Sequence, residues 1–314
     1  MKFSTPVPIH PSQPSIGYDS SVLLLGSCFA NNIAEKLQRL RFVADVNPFG
    51  ILFQPTSLED FIRLCLENHR FAPAGFFEHA SAWHHFKAHS QMDALSASEA
   101  CQKLNSAADA ARLQMASATH IIITLGTAWV YRHRASGEFV ANCHKVPQRE
   151  FDKQLLSIER IGESLKNITS MLRAANPSAT IIFTVSPVRH LKDGFVENQR
   201  SKAHLIAALH NFLETDAAHY FPAYEIAMDE LRDYRFYAGD MVHPSADAVQ
   251  YIWERFSAAW ISNDARKVAD EVEGIVRGLE HRPFNPESAE TLKFRANLES
   301  RIASLQSRFR HMKF

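Results

Sequence analysis

Short apolar runs alternate with amphipathic stretches over most of the chain. Runs of aliphatic and aromatic residues predict buried strands at residues 21–25, 42–46, 121–125, 181–185 and 224–228. Apolar residues spaced three or four apart predict helices at residues 29–40, 58–67, 98–116, 157–175, 201–214 and 245–260. Strands that alternate with helices are typical of a parallel sheet covered on both faces. The pattern therefore predicts an α/β fold: a three-layer α/β/α sandwich with a mainly parallel, five-stranded sheet.

Two segments depart from this alternation. Residues 70–93 are rich in Phe, His and Ala with little periodicity, and we expect an inserted loop or small hairpin there, within an insertion near residues 70–118. Towards the C-terminus, two charged helical patterns flank a proline-containing break at residues 281–286. We therefore expect one domain over residues 1–263 and a helical C-terminal extension over residues 264–314.

The second of these C-terminal patterns carries an apolar stripe. Its members mostly recur three or four residues apart, at Leu292, Phe294, Leu298, Ile302, Leu305 and Phe309. An isolated helix of this length is marginal in water, so the stripe must pack on something. The break before it lets the helix fold back, which favours packing on the same chain. The alternative is a second subunit, which makes an oligomer through the C-terminal helices a second expectation.

Charge, hydropathy and cysteine spacing bear on the expected partners and location of the protein. The formal net charge is zero, so a nucleic acid is not an expected partner. No apolar run approaches the ~20 residues that cross a bilayer, and the N-terminus lacks the pattern of a secretory signal, so we expect no membrane association. The four cysteines show no CxxC spacing, which indicates reduced thiols and a cytoplasmic location.

Ser27 is the first candidate for chemistry. It lies in the sequence Leu-Gly-Ser-Cys-Phe-Ala, between a predicted strand and a predicted helix. Such a turn lies at the carboxyl end of the sheet, where open α/β sheets bind their ligands, and the helix N-terminus favours a developing negative charge. The alternative is that this serine only caps the helix.

Asp240 and His243 form the second candidate pair. They stand three residues apart, just before the predicted helix at residues 245–260. A carboxylate beside an imidazole fixes the tautomer of the ring and stabilises the imidazolium that forms during proton transfer. The alternative is a structural turn that carries a surface histidine.

Further polar residues stand in loops. His84, His85 and His89 cluster, but no third ligand is apparent beside the i,i+4 pair, so we expect no metal and assign His89 to a polar wall of the substrate pocket. His144 and Arg189 follow predicted strand ends, where they can bind a carboxylate or a sugar oxygen, or simply make the loops polar. Nucleotide and redox motifs are missing from the sequence, and we expect no cofactor.

The order of these motifs resembles the SGNH/GDSL hydrolase superfamily. The closer resemblance is to the GSCFA-domain family, named for the pentapeptide found here at residues 26–30. It covers roughly residues 26–260. Four further segments carry it, namely Asn-Pro-Phe-Gly at 47–50, Leu-Gly-Thr-Ala-Trp at 125–129, Asn-Cys-His-Lys at 142–145 and Ser-Pro-Val-Arg-His at 186–190.

The resemblance implies a role for each matching residue. Ser27 matches the nucleophile, His243 the general base and Asp240 its partner. Gly50 matches a glycine whose N–H helps to hold the oxyanion, and Gly126 with Thr127 matches the third block of the superfamily. That block usually has Asn where this chain has Ala128, so one oxyanion donor is missing, and Asn142 is a candidate replacement.

We therefore expect residues 1–263 to be the catalytic domain of a serine-dependent acyl-ester hydrolase. Its substrate would be a small-molecule ester, with an acylated carbohydrate as one option. Ser27 would attack the carbonyl and His243 would take and return the proton. Two alternatives stay open: an acyltransferase that uses the same residues, and a non-catalytic binding module that has kept the pocket.

Overall fold

A central parallel sheet organises the computed structural model, which describes residues 5–215 and 218–314. The strands are β1 (Ser21–Gly26), β2 (Val43–Val46), β3 (Phe77–His79), β4 (Ala82–His84), β5 (His120–Leu125), β6 (Trp129–His133), β7 (Phe139–Val140), β8 (Phe151–Leu155), β9 (Thr180–Val185) and β10 (His219–Tyr220). Five of them form the central sheet in the order β10-β9-β5-β1-β2, and every neighbouring pair is parallel. The expected parallel, five-stranded sheet is thereby confirmed.

The strand order reverses direction between β1 and β5. The chain runs outward from β1 to β2, then returns to place β5 on the other side of β1. Ligands of open α/β sheets bind beside such a reversal, at the carboxyl ends of the two strands. In this chain those ends are Gly26 and Leu125.

Helices cover both faces of the sheet. They are α1 (Cys28–Arg39), α2 (Pro55–Leu66), α3 (Ala97–Ser117), α4 (Ile158–Ala175), α5 (Phe195–Leu213), α6 (Ala223–Glu225), α7 (Ala246–Trp260), α8 (Asn263–Glu280) and α9 (Ala289–Arg308). Successive strand residues point to opposite faces, so Leu23 packs with α2 to α5 on one side and Leu24 with α1, α7 and α8 on the other. The three-layer sandwich is confirmed. No helix in the described ranges is long and apolar enough to cross a membrane.

The segment predicted as the last strand is helical. Residues 224–228 lie in α6 and in the π-helical turn Ile226–Glu230 that continues it. Ala, Glu and Met favour helix, which explains the conformation. The strand at the β9 edge of the sheet is instead the two-residue β10. The prediction of a strand at residues 224–228 was therefore wrong.

A second, smaller layer consists of a hairpin, which the expectation of a loop or small hairpin at residues 70–93 included, and a three-stranded sheet that was not predicted. β6 pairs antiparallel with β7 and β8, and β3 pairs with β4 in a hairpin within the expected insertion. These strands mix polar and apolar residues, so neither a buried run nor a clean alternation marks them. They lie in the connections that leave the carboxyl ends of the central sheet.

The two C-terminal helices pack on the same chain. Val272 and Ile275 of α8 and Leu298 and Leu305 of α9 belong to the core on the α1 side of the sheet. Leu298 meets α8 where Gly278 leaves room, because a Cβ at that glycine would lie 2.8 Å from the Leu298 Cδ1.

Candidate active site

Ser27 lies at the turn between β1 and α1. It is the N-cap of α1, and its Oγ accepts a hydrogen bond from the Phe29 N–H at 3.3 Å. Its own N–H donates to the Thr124 carbonyl at 3.1 Å, and the residue is 1% exposed. Gly26 makes the turn possible, since its φ is 127° and a Cβ there would lie 2.1 Å from the Thr124 oxygen.

Asn47 fixes this turn from the neighbouring loop. Its Oδ1 accepts a hydrogen bond from the Gly26 N–H at 2.8 Å, and its Nδ2 donates to the Asn31 Oδ1 at 2.7 Å. Asn47 itself has a φ of 46°, a conformation that Asn tolerates better than most residues. The first residue of the Asn-Pro-Phe-Gly segment thus positions the residue before Ser27.

Gly50 and His89 lie against each other. A Cβ on Gly50, whose φ is 75°, would lie 2.5 Å from the His89 Cβ. The Gly50 N–H donates to the Asn47 carbonyl at 2.8 Å, so the turn already uses the N–H that the resemblance assigns to the oxyanion. The Ser27 N–H, a second possible oxyanion donor at this turn, is likewise bonded to the Thr124 carbonyl. Either group would have to release its present acceptor to bind an oxyanion.

Asp240 and His243 form the expected carboxylate–imidazole pair. The His243 Nδ1 lies 2.7 Å from the Asp240 Oδ2, and the Asp240 Oδ1 accepts from the N–H groups of Val242 and His243 at 2.9 and 3.0 Å. The bond to the His243 ring and then these two backbone bonds hold the pKa of Asp240 far below its usual range. An ionised carboxylate only accepts, so Nδ1 carries the proton and Nε2 is the basic nitrogen of the neutral ring.

Arg189 holds the loop that carries this pair. Its N–H donates to the Val242 carbonyl at 3.1 Å, and its guanidinium donates to the Met241 carbonyl at 3.4 Å. The guanidinium carbon also lies 3.8 Å from the centre of the Tyr237 ring. Arg189 therefore ties the segment after β9 to the Asp240–His243 loop, a contact that its assignment to substrate binding did not include.

Lys202 of α5 joins the ends of two central strands. It is 1% exposed, and its Nζ donates to the carbonyls of Gly126 at 2.7 Å and Ser186 at 2.6 Å. Burial lowers the pKa of this amine to about 7. In the sequence, Lys202 looks like any other polar residue of an amphipathic helix, so it was not predicted to be buried or close to the site.

Cys28 and His190 both have shifted pKa values. Burial raises the pKa of the Cys28 thiol above its usual value, the backbone N–H groups of Cys28 and Phe29 and then the charge of Lys202 lower it, and the charge of Asp240 raises it. Burial and then the charges of Lys202 and His243 lower the pKa of His190 to about 3. The thiol of Cys28 therefore stays protonated, which leaves Ser27 as the stronger candidate nucleophile.

The block that contains Ala128 is buried against α5. The Thr127 Oγ1 lies 2.8 Å from the Ser201 Oγ, and the Ala128 N–H donates to the same oxygen at 2.7 Å. The Gly126 N–H donates to the Phe53 carbonyl at 2.8 Å. In this structure, Gly126 and Thr127 use these groups to hold the strand end rather than to line an open surface.

Asn142 uses its side-chain oxygen in a local hydrogen bond. Its Oδ1 accepts from the His144 N–H at 2.8 Å, so its amide nitrogen is the group that can donate elsewhere. His144 itself is buried, and its Nε2 lies 3.1 Å from the His85 carbonyl. Burial lowers the pKa of His144. His144 thus lies inside the smaller layer, not on an open loop.

The Asp240–His243 pair is formed, but Ser27 is not hydrogen-bonded to it as in a complete catalytic triad. Among the described residues, no hydrogen bond joins the Ser27 Oγ to His243. Ser27 instead makes the capping bond that was its alternative role. Catalytic hydrogen bonds are often long or misaligned before substrate binds, so the geometry permits either role.

Comparisons with known proteins identify a family for this chain. The model of the GSCFA family matches residues 21–256, and that of the GSCFA domain protein, C-terminal domain, matches residues 272–314. No curated protein matches the sequence. A structural comparison finds similarity to an acetyl xylan esterase from the rumen bacterium Butyrivibrio proteoclasticus, with 12% identity and a TM-score of 0.36, over 83% of this chain and 66% of that one. The chain thus spans just under two thirds of that structure.

Proposed function

The chain belongs to the GSCFA family, and we propose that it is a serine-dependent acyl-ester hydrolase of the SGNH/GDSL type. The observation that supports this most is the Asp240–His243 pair, in which the His243 Nδ1 lies 2.7 Å from the Asp240 Oδ2. The Ser27–Cys28 turn lies at the strand-order reversal of a parallel sheet, where ligands of such sheets bind.

In the proposed reaction Ser27 is the nucleophile. Its Oγ exchanges the bond from Phe29 for one to the His243 Nε2 and attacks the ester carbonyl, while Nε2 takes the hydroxyl proton. The tetrahedral intermediate breaks its bond to the alcohol oxygen, which leaves with that proton. Water then attacks the acyl-enzyme, gives a proton to Nε2, and releases the acid as that proton returns to Ser27.

The oxyanion would form near the N-terminus of α1. The helix dipole favours negative charge there, and we assign the Asn142 amide nitrogen as a further donor. The Gly50 and Ser27 N–H groups could join only after leaving the carbonyls of Asn47 and Thr124. The proposal therefore includes a small rearrangement of these turns when substrate binds.

A cavity lies beside the Asp240–His243 loop, and its lining supports a carbohydrate as the alcohol part of the substrate ester. Its volume is about 250 Å³. Its lining combines aromatic rings, charged groups and aliphatic side chains, from Arg189, Ala227, Met228, Leu231, Arg232, Asp233, Tyr234 and Tyr237. Aromatic faces with a few polar groups are typical of small-ligand sites, and they suit the mixed surface of a sugar ring.

A non-catalytic binding module is the second candidate. It is favoured by the capping bond of Ser27 and by the engaged N–H groups of Ser27 and Gly50. In that case the site would bind an ester or a sugar without cleaving it.

Turnover on a panel of esters separates the two candidates. The panel runs from acetyl to long-chain esters, with free sugars added as acceptors to detect acyl transfer. We expect the wild type to hydrolyse at least one short acyl ester and Ser27→Ala to lose that turnover. Ser262→Ala is the matched control, because Ser262 also caps a helix, through the Ala265 N–H at 3.1 Å, but lies outside the site. Binding without turnover in the wild type would favour the binding module.

A further inference from the structure

His84, Asp93 and His144 converge inside the smaller layer of strands. They come from three separate places, namely the end of β4, the residue after the turn Ser90–Met92, and the loop after β7. One ligand atom from each lies within 4.8 Å of the others. The exposed fractions of the three side chains are 8%, 17% and 0%.

The backbone fixes the orientation of both rings. The His84 Nε2 lies 2.9 Å from the His79 carbonyl, and the His144 Nε2 lies 3.1 Å from the His85 carbonyl. A carbonyl only accepts, so each Nε2 carries a proton and each neutral ring has its lone pair on Nδ1. This is the arrangement in which metal-binding histidines are held, with the second ring nitrogen donating to a carbonyl.

Both lone pairs face the same carboxylate. The His84 Nδ1 lies 2.8 Å from one oxygen of Asp93, and the His144 Nδ1 lies 3.6 Å from the other. Both Nδ1 atoms are buried and neither makes a hydrogen bond, although that of His84 is as close to Asp93 as a bonded pair. Two buried lone pairs beside a carboxylate are unfavourable unless a positive charge lies among them. One proton can bridge only one of the two ring–carboxylate contacts.

We propose that His84, Asp93 and His144 bind a divalent transition-metal ion, with Zn²⁺ as the best fit. Two imidazole nitrogens and one carboxylate are a ligand set that zinc accepts, with water in the fourth position. Zinc–ligand distances of about 2.0–2.2 Å require the three side chains to move slightly together around the ion. The ligands are far apart in sequence, so spacing suggested only the His85/His89 pair, which does not converge here.

The ion would join the hairpin of β3 and β4 to the loop after β7. That loop also carries Asn142, whose oxygen accepts from the His144 N–H. Metal binding would therefore fix the position of Asn142. The site itself is independent of whether Ser27 is a nucleophile, and its test needs no enzymatic activity.

Metal binding is tested on the full-length wild type first. The protein is stripped with a chelator, and ZnCl₂ is titrated in competition with a chromophoric chelator. We expect one equivalent of tight binding and a higher melting temperature with zinc. Cobalt substituted at the site should give visible d–d bands without a thiolate charge-transfer band. No specific zinc binding, or a thiolate band from ligation by a cysteine, would overturn the proposal.

Ligand variants locate the ion. Loss of an outer partner, which only supports a metal ligand, typically costs about 10–100-fold in affinity. Asp93 and His84 are direct ligands in this proposal, so we expect Asp93→Asn and His84→Gln each to weaken zinc binding by at least about 100-fold. His69→Gln is the control, since His69 is exposed and its ring packs against Phe71. Folding of each variant is checked by circular dichroism. Unchanged zinc affinity in folded Asp93→Asn would refute the site.

Discussion

Asp240 is held by three hydrogen bonds although its side chain is half exposed. Its two oxygens accept from the ring and backbone of His243 and from the backbone of Val242. The two backbone bonds shape the turn, as in many Asp-containing loops, whereas the bond to the ring has a different consequence. It fixes which nitrogen of His243 is basic, and this is the property that the proposed general-base role would require.

Asp240→Asn should therefore leave the fold intact and lower kcat on a hydrolysed ester. An amide at this position can donate to Nδ1 and favour the wrong tautomer, and the cost in a serine triad is about 10⁴-fold. Steady-state kinetics measure the effect. The control is Asp247→Asn, which changes an exposed carboxylate of α7. An unchanged kcat would remove Asp240 from the mechanism.

Local motifs in the sequence singled out some candidate site residues and not others. Ser27, Asp240 and His243 stand in short segments whose chemistry depends on neighbours in the sequence. Lys202 and Asp93 act through partners that are distant along the chain, and their own surroundings in the sequence are ordinary. Burial and convergence give these residues their character, and both arise only from the fold.

At the scale of elements, aliphatic runs and helical periods predicted four of the five central strands. Residues 224–228 were misassigned because a helical segment with buried Ile226 resembles a short edge strand. The sheet of β6, β7 and β8 escaped prediction because cross-strand pairing, rather than hydrophobic pattern, holds it together. β6 and β8 pair from Trp129 to Leu155, across a long connection.

Lys202 connects elements, since its amine bonds the ends of β5 and β9 from α5. Lys202→Met leaves two buried carbonyls without this donor, each costing about 1–3 kcal/mol, so we expect a loss of about 2–6 kcal/mol at pH 9. Urea unfolding of both proteins measures this loss.

The same pair of proteins should show a specific pH dependence. Below pH about 7 the amine is protonated in the folded and the unfolded chain, and burial of its charge opposes folding. Between that pH and the usual lysine pKa of about 10.4, only the unfolded chain holds the proton, so the stability of the wild type rises with pH. The wild-type advantage over Lys202→Met should grow from pH 7 to pH 10. A flat or falling difference would show that the amine is not buried as described.

At the scale of the whole molecule, the C-terminal helices complete the core on the α1 side. Leu305 is fully buried there, whereas Leu292 of the same helix is 50% exposed. Phe309 extends this packing to Tyr18, with ring centres 5.1 Å apart. The GSCFA C-terminal domain match over residues 272–314 thus corresponds to helices that share a hydrophobic core with the sheet.

Leu305→Ala should lower the free energy of unfolding by about 2–5 kcal/mol, the range for a buried leucine. Leu292→Ala is the matched control and should change it by less than about 0.5 kcal/mol. Urea unfolding at two protein concentrations makes the comparison. Equal effects of the two changes would contradict packing on the same chain, and a midpoint that rises with concentration would indicate pairing between copies.

The most direct test of the proposed function is covalent labelling of the nucleophile. A fluorophosphonate probe loses fluoride when an activated serine hydroxyl attacks it, and intact-mass and peptide spectrometry locate the adduct. We expect one adduct on Ser27 in the wild type and in Cys28→Ala, and none in Ser27→Ala, with slower labelling in His243→Ala. A folded wild type that stays unlabelled, or an adduct at another residue, would contradict the assignment of Ser27 as the nucleophile.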